Sequence, residues 1–215
     1  MNWAKSELGT IELGDKRLNK RAVFLLDKLA GKASENIPVA CGSWAETKAA
    51  YRFFNHENVT AEQILAPHQE ATLRRMNSHN TVLLVQDTTQ LNYSSQKQKE
   101  GVGPLHRDNH TGILLHPSIA VTPAGVCLGV MDGYHWYRTK LHHKSRGEKN
   151  RQNLRTPITE KESYRWIKGY KLANHVANLL PDTRIVSVAD REGDIYDLYH
   201  ESSVSIEEKQ ADWLI

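Results

Sequence analysis

The chain has 215 residues, enough for one large domain or two small ones with a buried core. Its 39% hydrophobic and 25% charged content is that of an ordinary globular protein and excludes a fibrous or wholly disordered chain. The net charge of +3 is uneven: residues 133–185 carry 12 Lys+Arg against 4 Asp+Glu, and residues 186–215 carry 2 against 8, so the middle of the chain reads as a contact for a polyanion or else as a solvated basic face.

Residues 1–80 read as helical. Asp15 caps a helix running to about Ala30, with Leu18, Ala22, Leu25, Leu26 and Leu29 on one apolar face and Gly31 as its stop. Ser43-Trp44-Ala45-Glu46 is a capping box that opens a second helix to about Asn55, packed through Ala45, Ala49 and Phe53, with Ala50 and Phe54 as further candidates. Thr60-Ala61-Glu62-Gln63 is another such box and opens a third helix to about Met76, which Pro67 is expected to kink or restart.

After Asn80 the period becomes extended. Val82 to Val85 is a short apolar run that reads as a buried central strand ending at Gln86-Asp87. Ile113 to Val121 and Val126 to Met131 flank Thr122-Pro123-Ala124-Gly125 and form a hairpin, in which Pro117 marks a bulge or a side facing away from a neighbour. Gly101 to Pro104 reads as a turn, and the basic stretch from Arg138 to Arg155 as an exposed connection. Glu160 to Leu180 is the clearest helix, with Trp166, Tyr170, Ala173, Ala177 and Leu180 on one stripe and Pro181 as its stop. Arg184 to Ala189 is another buried strand, Asp194 to Glu201 a short helix with Ile195, Leu198 and Tyr199 inward, and Ala211 to Ile215 the start of a strand.

A strand, a hairpin, a helix and a strand parallel to the first, preceded by helices, is the order of a ribonuclease-H-like sheet. The expected fold is therefore α/β: an all-helical N-terminal domain over residues 1–78, then an incomplete ribonuclease-H-like mixed sheet with helices over residues 79–215. Asp87 and Asp190 each follow a buried apolar strand. If those strands are parallel neighbours, about 4.8 Å apart, both carboxylates reach one divalent cation. Mg²⁺ takes oxygen ligands of this kind, and paired ions clamp the attacking and leaving oxygens of a phosphoryl transfer. The alternative is that each Asp only caps a turn or the following helix. His106, His110 and His116 have a loosely metal-like spacing, read here as surface or phosphate-contacting rather than zinc-binding; His142-His143 reads as solvated.

Several segments resemble DDE transposases of the IS-four group, the branch typified by the Tn-five transposase. They are Leu13-Gly14-Asp15-Lys16-Arg17-Leu18, Ala50-Tyr51-Arg52-Phe53-Phe54-Asn55 with Asn58 to Glu62, Val85 to Leu91 with Tyr93, Glu160-Lys161-Glu162-Ser163 with Trp166, and Val188 to Tyr196. The resemblance covers nearly the whole chain. It implies a helical domain that binds transposon-end DNA, then a catalytic domain holding two divalent ions, Mg²⁺ or Mn²⁺, on an Asp, Asp, Glu triad, with Asp87 and Asp190 as the two aspartates. It also implies phosphodiester hydrolysis at the element end followed by attack of the freed 3′ hydroxyl, and a transposase dimer.

The family's catalytic Glu would fall after Ile215, and Glu192, Glu201, Glu207 and Glu208 are too close to Asp190 in sequence to replace it. The expectation is a C-terminally truncated copy that does not cleave DNA alone, with a DNA-binding remnant as the alternative and a nuclease or resolvase as the runner-up chemistry. Arg17, Lys20, Arg21, Lys48 and Arg52 are the candidate contacts to double-stranded DNA, or else an ordinary solvated helix face. No apolar run approaches the roughly 20 residues of a membrane span, no secretory signal opens the chain, and Cys41 and Cys127 are too few for a disulfide framework, so a cytoplasmic, non-membrane protein is expected.

Overall fold

Helices begin where a side chain can satisfy the first backbone N–H groups. The computed structural model describes residues 3–95, 100–106, 110–139, 155–204 and 209–215, and divides the chain into two compact units, residues 1–74 and 75–215. In the first unit, α1 (Trp3–Glu7) precedes α2 (Lys16–Ala30), which starts at Asp15 as its caps predict: the Asp15 carboxylate accepts the Arg17 N–H at 2.7 Å, and Gly31 ends the helix. A short helix absent from the sequence reading, α3 (Ile37–Cys41), is capped by Asn36 and ends at Gly42, whose φ of +77° a side chain would strain.

α4 (Trp44–Phe54) begins at Ser43, whose hydroxyl accepts the Glu46 N–H at 3.3 Å. The return half of that capping box is not made, because the Glu46 carboxylate pairs with Arg21 of α2 instead. Its buried stripe is Thr47, Ala50 and Phe53; Ala45 is exposed and Ala49 only half-buried, since α4 turns toward α3 and α2 the side that meets them. α5 (Ala61–Met76) has the full reciprocal box: the Gln63 N–H donates to Thr60 Oγ1 and the Thr60 N–H to Gln63 Oε1, both at 3.2 Å. The helix runs through Pro67 without restarting. Leu8, Ile11, Leu13, Ala22, Leu25, Cys41, Ala50 and Phe53 form this unit's core.

In the second unit, β1 (Thr81–Gln86) is central to one mixed sheet. It pairs antiparallel with β4 (Thr111–Val121) and parallel with β6 (Arg184–Val188), and β6 pairs parallel with β7 (Asp212–Leu214). β4 and β5 (Cys127–Trp136) form the expected hairpin, closed by the Thr122 N–H on the Val126 carbonyl at 2.9 Å. Two short strands were not legible as such: β2 (Thr89–Asn92), exposed at every position, and β3 (Gly103–Pro104), where a turn was expected. Neither has an apolar period, and both exist because β4 is long enough to extend past β1 and pair with them. Pro117 lies where β4 changes partner, between Ser118, which faces β1, and Leu115, which faces β2. On its other side it is registered with Gly133 of β5, one residue from the irregularity in that register between Ser118 and Ile119.

α6 (Tyr164–Leu179) starts later than the sequence reading, because Ile158–Glu160 form a separate 3₁₀ turn and Lys161 is extended. Its stripe of Trp166, Tyr170, Ala173 and Ala177 is buried as expected, and the helix packs on β6 and β1. After β6, residues Arg191–Gly193 make a 3₁₀ turn before α7 (Tyr196–Val204). Leu198 is inward as expected. Tyr199 is not: it is 38% exposed, edge-on to Trp213, with its hydroxyl donating to Asp194 at 2.8 Å. Among the described residues no helix is long and apolar enough to cross a membrane.

α6 approaches the end of β1 so closely that a Cβ on Gly169 would lie 1.7 Å from Gln86 Oε1, and Gln86 is buried and cannot swing away. Helix propensity alone favours Ala over Gly by about 1 kcal/mol, whereas overpacking costs roughly 1–3 kcal/mol or more. Gly169→Ala is therefore expected to lower stability by up to about 2 kcal/mol in urea unfolding, and a raised midpoint would refute the close approach.

Candidate active site

The parallel register sets the site. Val85 opposes Val188 as the last registered pair of β1 and β6, and Asp87 and Asp190 each lie two residues further on. Both are exposed, and both line one cavity of about 480 Å³ at the carboxyl edge of the sheet. Each has one carboxylate oxygen tied down: Asp87 Oδ1 accepts the Thr88 N–H at 2.7 Å, and Asp190 Oδ1 accepts the Glu192 N–H at 2.9 Å, capping the 3₁₀ turn. The capping role and the ligand role therefore do not compete at Asp190. Among the described residues, Oδ2 of each aspartate accepts no hydrogen bond.

A buried polar chain runs behind the two carboxylates. Gln86 Nε2 donates to Ser187 Oγ at 2.8 Å, and Gln86 Oε1 faces His116 Nε2 at 3.3 Å. His116 Nδ1 faces the Thr88 hydroxyl at 2.9 Å, and that hydroxyl accepts from Arg165 Nε at 2.8 Å. A Gln carbonyl can only accept, so Nε2 carries a proton, and with the ring neutral the Thr88 hydroxyl gives its one proton to Nδ1 while accepting from the guanidinium. Burial, reinforced by the Arg165 guanidinium, pushes the His116 pKa down to about 4 against the opposing pull of Asp87 and Asp190. The ring also stands edge-on to Trp166, 4.6 Å between centroids.

Arg165 is the residue that sequence reasoning missed. It is 9% exposed, donates through Nη1 to the Glu162 carbonyl at 2.9 Å and through Nη2 to Glu192 Oε2 at 2.6 Å, and lies 5.1 Å from the Trp166 ring. Its one sequence signal is a position beside Trp166, where a charge interrupts a buried stripe. Opposite it, Arg138 binds both oxygens of Glu162, at 2.5 Å each, which holds that carboxyl below its usual range despite partial burial.

The three histidines do not converge. His116 is buried in the chain just described rather than at the surface, His106 stands beside Arg138, and His110 lines a separate smaller cavity with Gln90, Asn92 and Leu105. Among the described residues no group of three His, Cys, Asp or Glu side chains is placed to hold a metal ion. Most of the basic stretch from Arg138 to Arg155, including His142 and His143, lies outside the described residues, as do Glu207 and Glu208.

In the helical unit, Arg17 is highly exposed and paired with Asp15 at 3.0 Å, each raising the other's preference for its charged form. Arg21 is held by Glu46 and lies over the Phe24 ring at 5.2 Å. Lys20, Lys48 and Arg52 are exposed and, among the described residues, make no ion pair.

Residues 1–59, which span α1 to α4, match the family model for transposase DNA-binding. The helical segment is thus a transposase DNA-binding domain.

A buried neutral histidine makes stability depend on pH. Because the folded pKa of His116, about 4, is below the unfolded value of 6.5, the unfolded chain binds more protons between those values. The stability is complete above pH 6.5 and lost as pH falls toward 4, up to about 3 kcal/mol in all. His116→Gln is expected to flatten the stability slope between pH 4 and 6.5 relative to the parent; parallel slopes would contradict the neutral assignment.

Proposed function

We propose that the chain belongs to DNA transposition of the DDE type, its helical unit binding transposon-end DNA and its sheet unit supplying two of the carboxylates of a metal-dependent phosphodiester site on a ribonuclease-H-like fold. The observation that carries the reading is the pairing of β1 with β6, which leaves Asp87 and Asp190 at one register level on one cavity. The match of residues 1–59 supplies the DNA substrate class.

The donor chemistry fits a hard divalent cation. Two exposed carboxylates from adjacent parallel strands, each with an uncommitted oxygen, are the kind of pair that Mg²⁺ takes together with waters and substrate phosphate. When bound, Mg²⁺ or Mn²⁺ supplies Lewis-acid activation of a water or 3′ hydroxyl and stabilises charge on the scissile phosphate. The chain's own part is to hold: Asp87 and Asp190 bind the ion, the Thr88 and Glu192 N–H groups orient their carboxylates, and Trp136 and Trp166 wall the cavity. On the helical unit, Lys20, Lys48 and Arg52 neutralise phosphates, with Arg17 and Arg21 held in orientation by their carboxylate partners.

The two glutamates that line the same cavity, Glu162 and Glu192, are committed to Arg138 and Arg165. Only two free carboxylates thus meet the ion among the described residues, which favours a second reading, in which this 215-residue chain binds element ends without cutting them.

Gel shifts over a salt series test both halves. Element-end DNA is expected to bind more tightly than scrambled DNA, and Lys48→Ala or Arg52→Ala to weaken binding and reduce the salt slope by about 1 each; equal affinity for the two DNAs would remove the end-binding reading. With Mg²⁺ and end DNA, the chain is expected to give no nicking, and nicking that vanishes in Asp87→Ala would establish a self-sufficient catalytic pair instead.

A further inference from the structure

The β1–β6 ladder stops at Val85 and Val188, so sheet hydrogen bonds between these strands do not reach the aspartates beyond it. Two like charges on neighbouring loops repel, and without another tie they would splay apart. We propose that Arg165 is a positioning residue that locks the Asp87 and Asp190 loops at one separation, and thereby sets the affinity of the pair for a divalent cation. This rests on the reading of Asp87 and Asp190 as the metal pair.

The geometry is symmetrical about the guanidinium. Arg165 Nε donates to the hydroxyl of Thr88, whose own N–H holds Asp87 Oδ1. Arg165 Nη2 donates to the carboxylate of Glu192, whose own N–H holds Asp190 Oδ1. Each anchor residue therefore presents its backbone to an aspartate and its side chain to the same arginine, from a helix that belongs to neither loop. The third nitrogen, Nη1, is fixed to the Glu162 carbonyl, so the planar fork cannot rotate. The Trp166 and Trp136 rings lie 5.1 and 5.8 Å from its centre and confine it further. With all three nitrogens engaged and 9% of the residue exposed, Arg165 is built to hold protein loops rather than to bind substrate phosphate. A lysine could not span both anchors, since its single ammonium lacks the fork.

The sign of one measurement separates this role from simple electrostatics. A positive charge near two carboxylates opposes cation binding, so removing it should tighten binding if charge were all that mattered. Loss of a positioning clamp should weaken it, by about tenfold or more for partners that orient metal ligands.

The experiment is Mn²⁺ titration of the 215-residue chain by electron paramagnetic resonance, with thermal unfolding of each variant as a control. Arg165→Met is expected to bind Mn²⁺ about tenfold more weakly. Thr88→Val, which changes no charge, is expected to shift affinity in the same direction, and it decides the matter if Arg165→Met does not fold. Binding as tight as or tighter than the parent in a folded Arg165→Met, or unchanged binding in Thr88→Val, overturns the clamp while Asp87→Asn and Asp190→Asn still weaken binding. If the parent binds no Mn²⁺, or if those two asparagine variants bind as well as the parent, the metal-pair reading itself fails, and the clamp with it.

Discussion

The parallel pairing of β1 with β6 is the constraint on which the rest of the candidate site depends. A parallel pair cannot be joined by a tight turn, so the chain must cross over, and α6 makes the return over the sheet. The antiparallel hairpin of β4 and β5 is completed first on the other edge of β1. The consequence is that two strands distant in sequence end side by side, with their following residues at the same level. One register slip would move Asp190 off that level and turn the face that Ile185 and Ser187 bury toward solvent. The core thus brings the two acidic residues to one end of the sheet without touching them.

Polar groups behind the site are arranged on the same principle. Gln86, His116, Thr88 and Arg165 link in series from beneath the sheet to its rim, where Arg165 meets the exposed carboxylate of Glu192. Burying such groups is costly unless each finds a partner, and in low dielectric a completed network resists rearrangement. Gly169 lets α6 come close enough to seat Gln86, and Trp166 packs against the His116 ring. The rigidity needed to keep two like charges in place comes from this network rather than from the loops that carry them.

The helical unit uses its charges in two ways. Arg21 crosses to Glu46 and joins α2 to α4, taking the carboxylate that a local capping box would have used. A contact between partly buried helices outweighs a cap at one exposed terminus. Lys20, Lys48 and Arg52 are left facing solvent, where a polyanion can reach them without breaking any pair.

Much of this was legible in the sequence because it is local. Caps such as Asp15 and Thr60, the stripe from Trp166 to Ala177, the hairpin turn at Thr122 to Gly125 and the apolar strands ending before Asp87 and Asp190 follow from side-chain reach and periodicity within one segment. The sequence by itself determined the longer helices and the apolar strands β1, β4, β5 and β6, where the acidic residues stand at strand ends, and the order in which these elements alternate. It did not determine β2 or β3, whose residues carry no period and are strands only because β4 runs beside them. Nor did it reveal which face of α4 is buried, that Glu46 serves Arg21, or that Arg165 reaches both aspartate loops. Each of those is decided by what a side chain meets across the fold, and a partner brought in by tertiary packing leaves no mark on the spacing of residues along the chain.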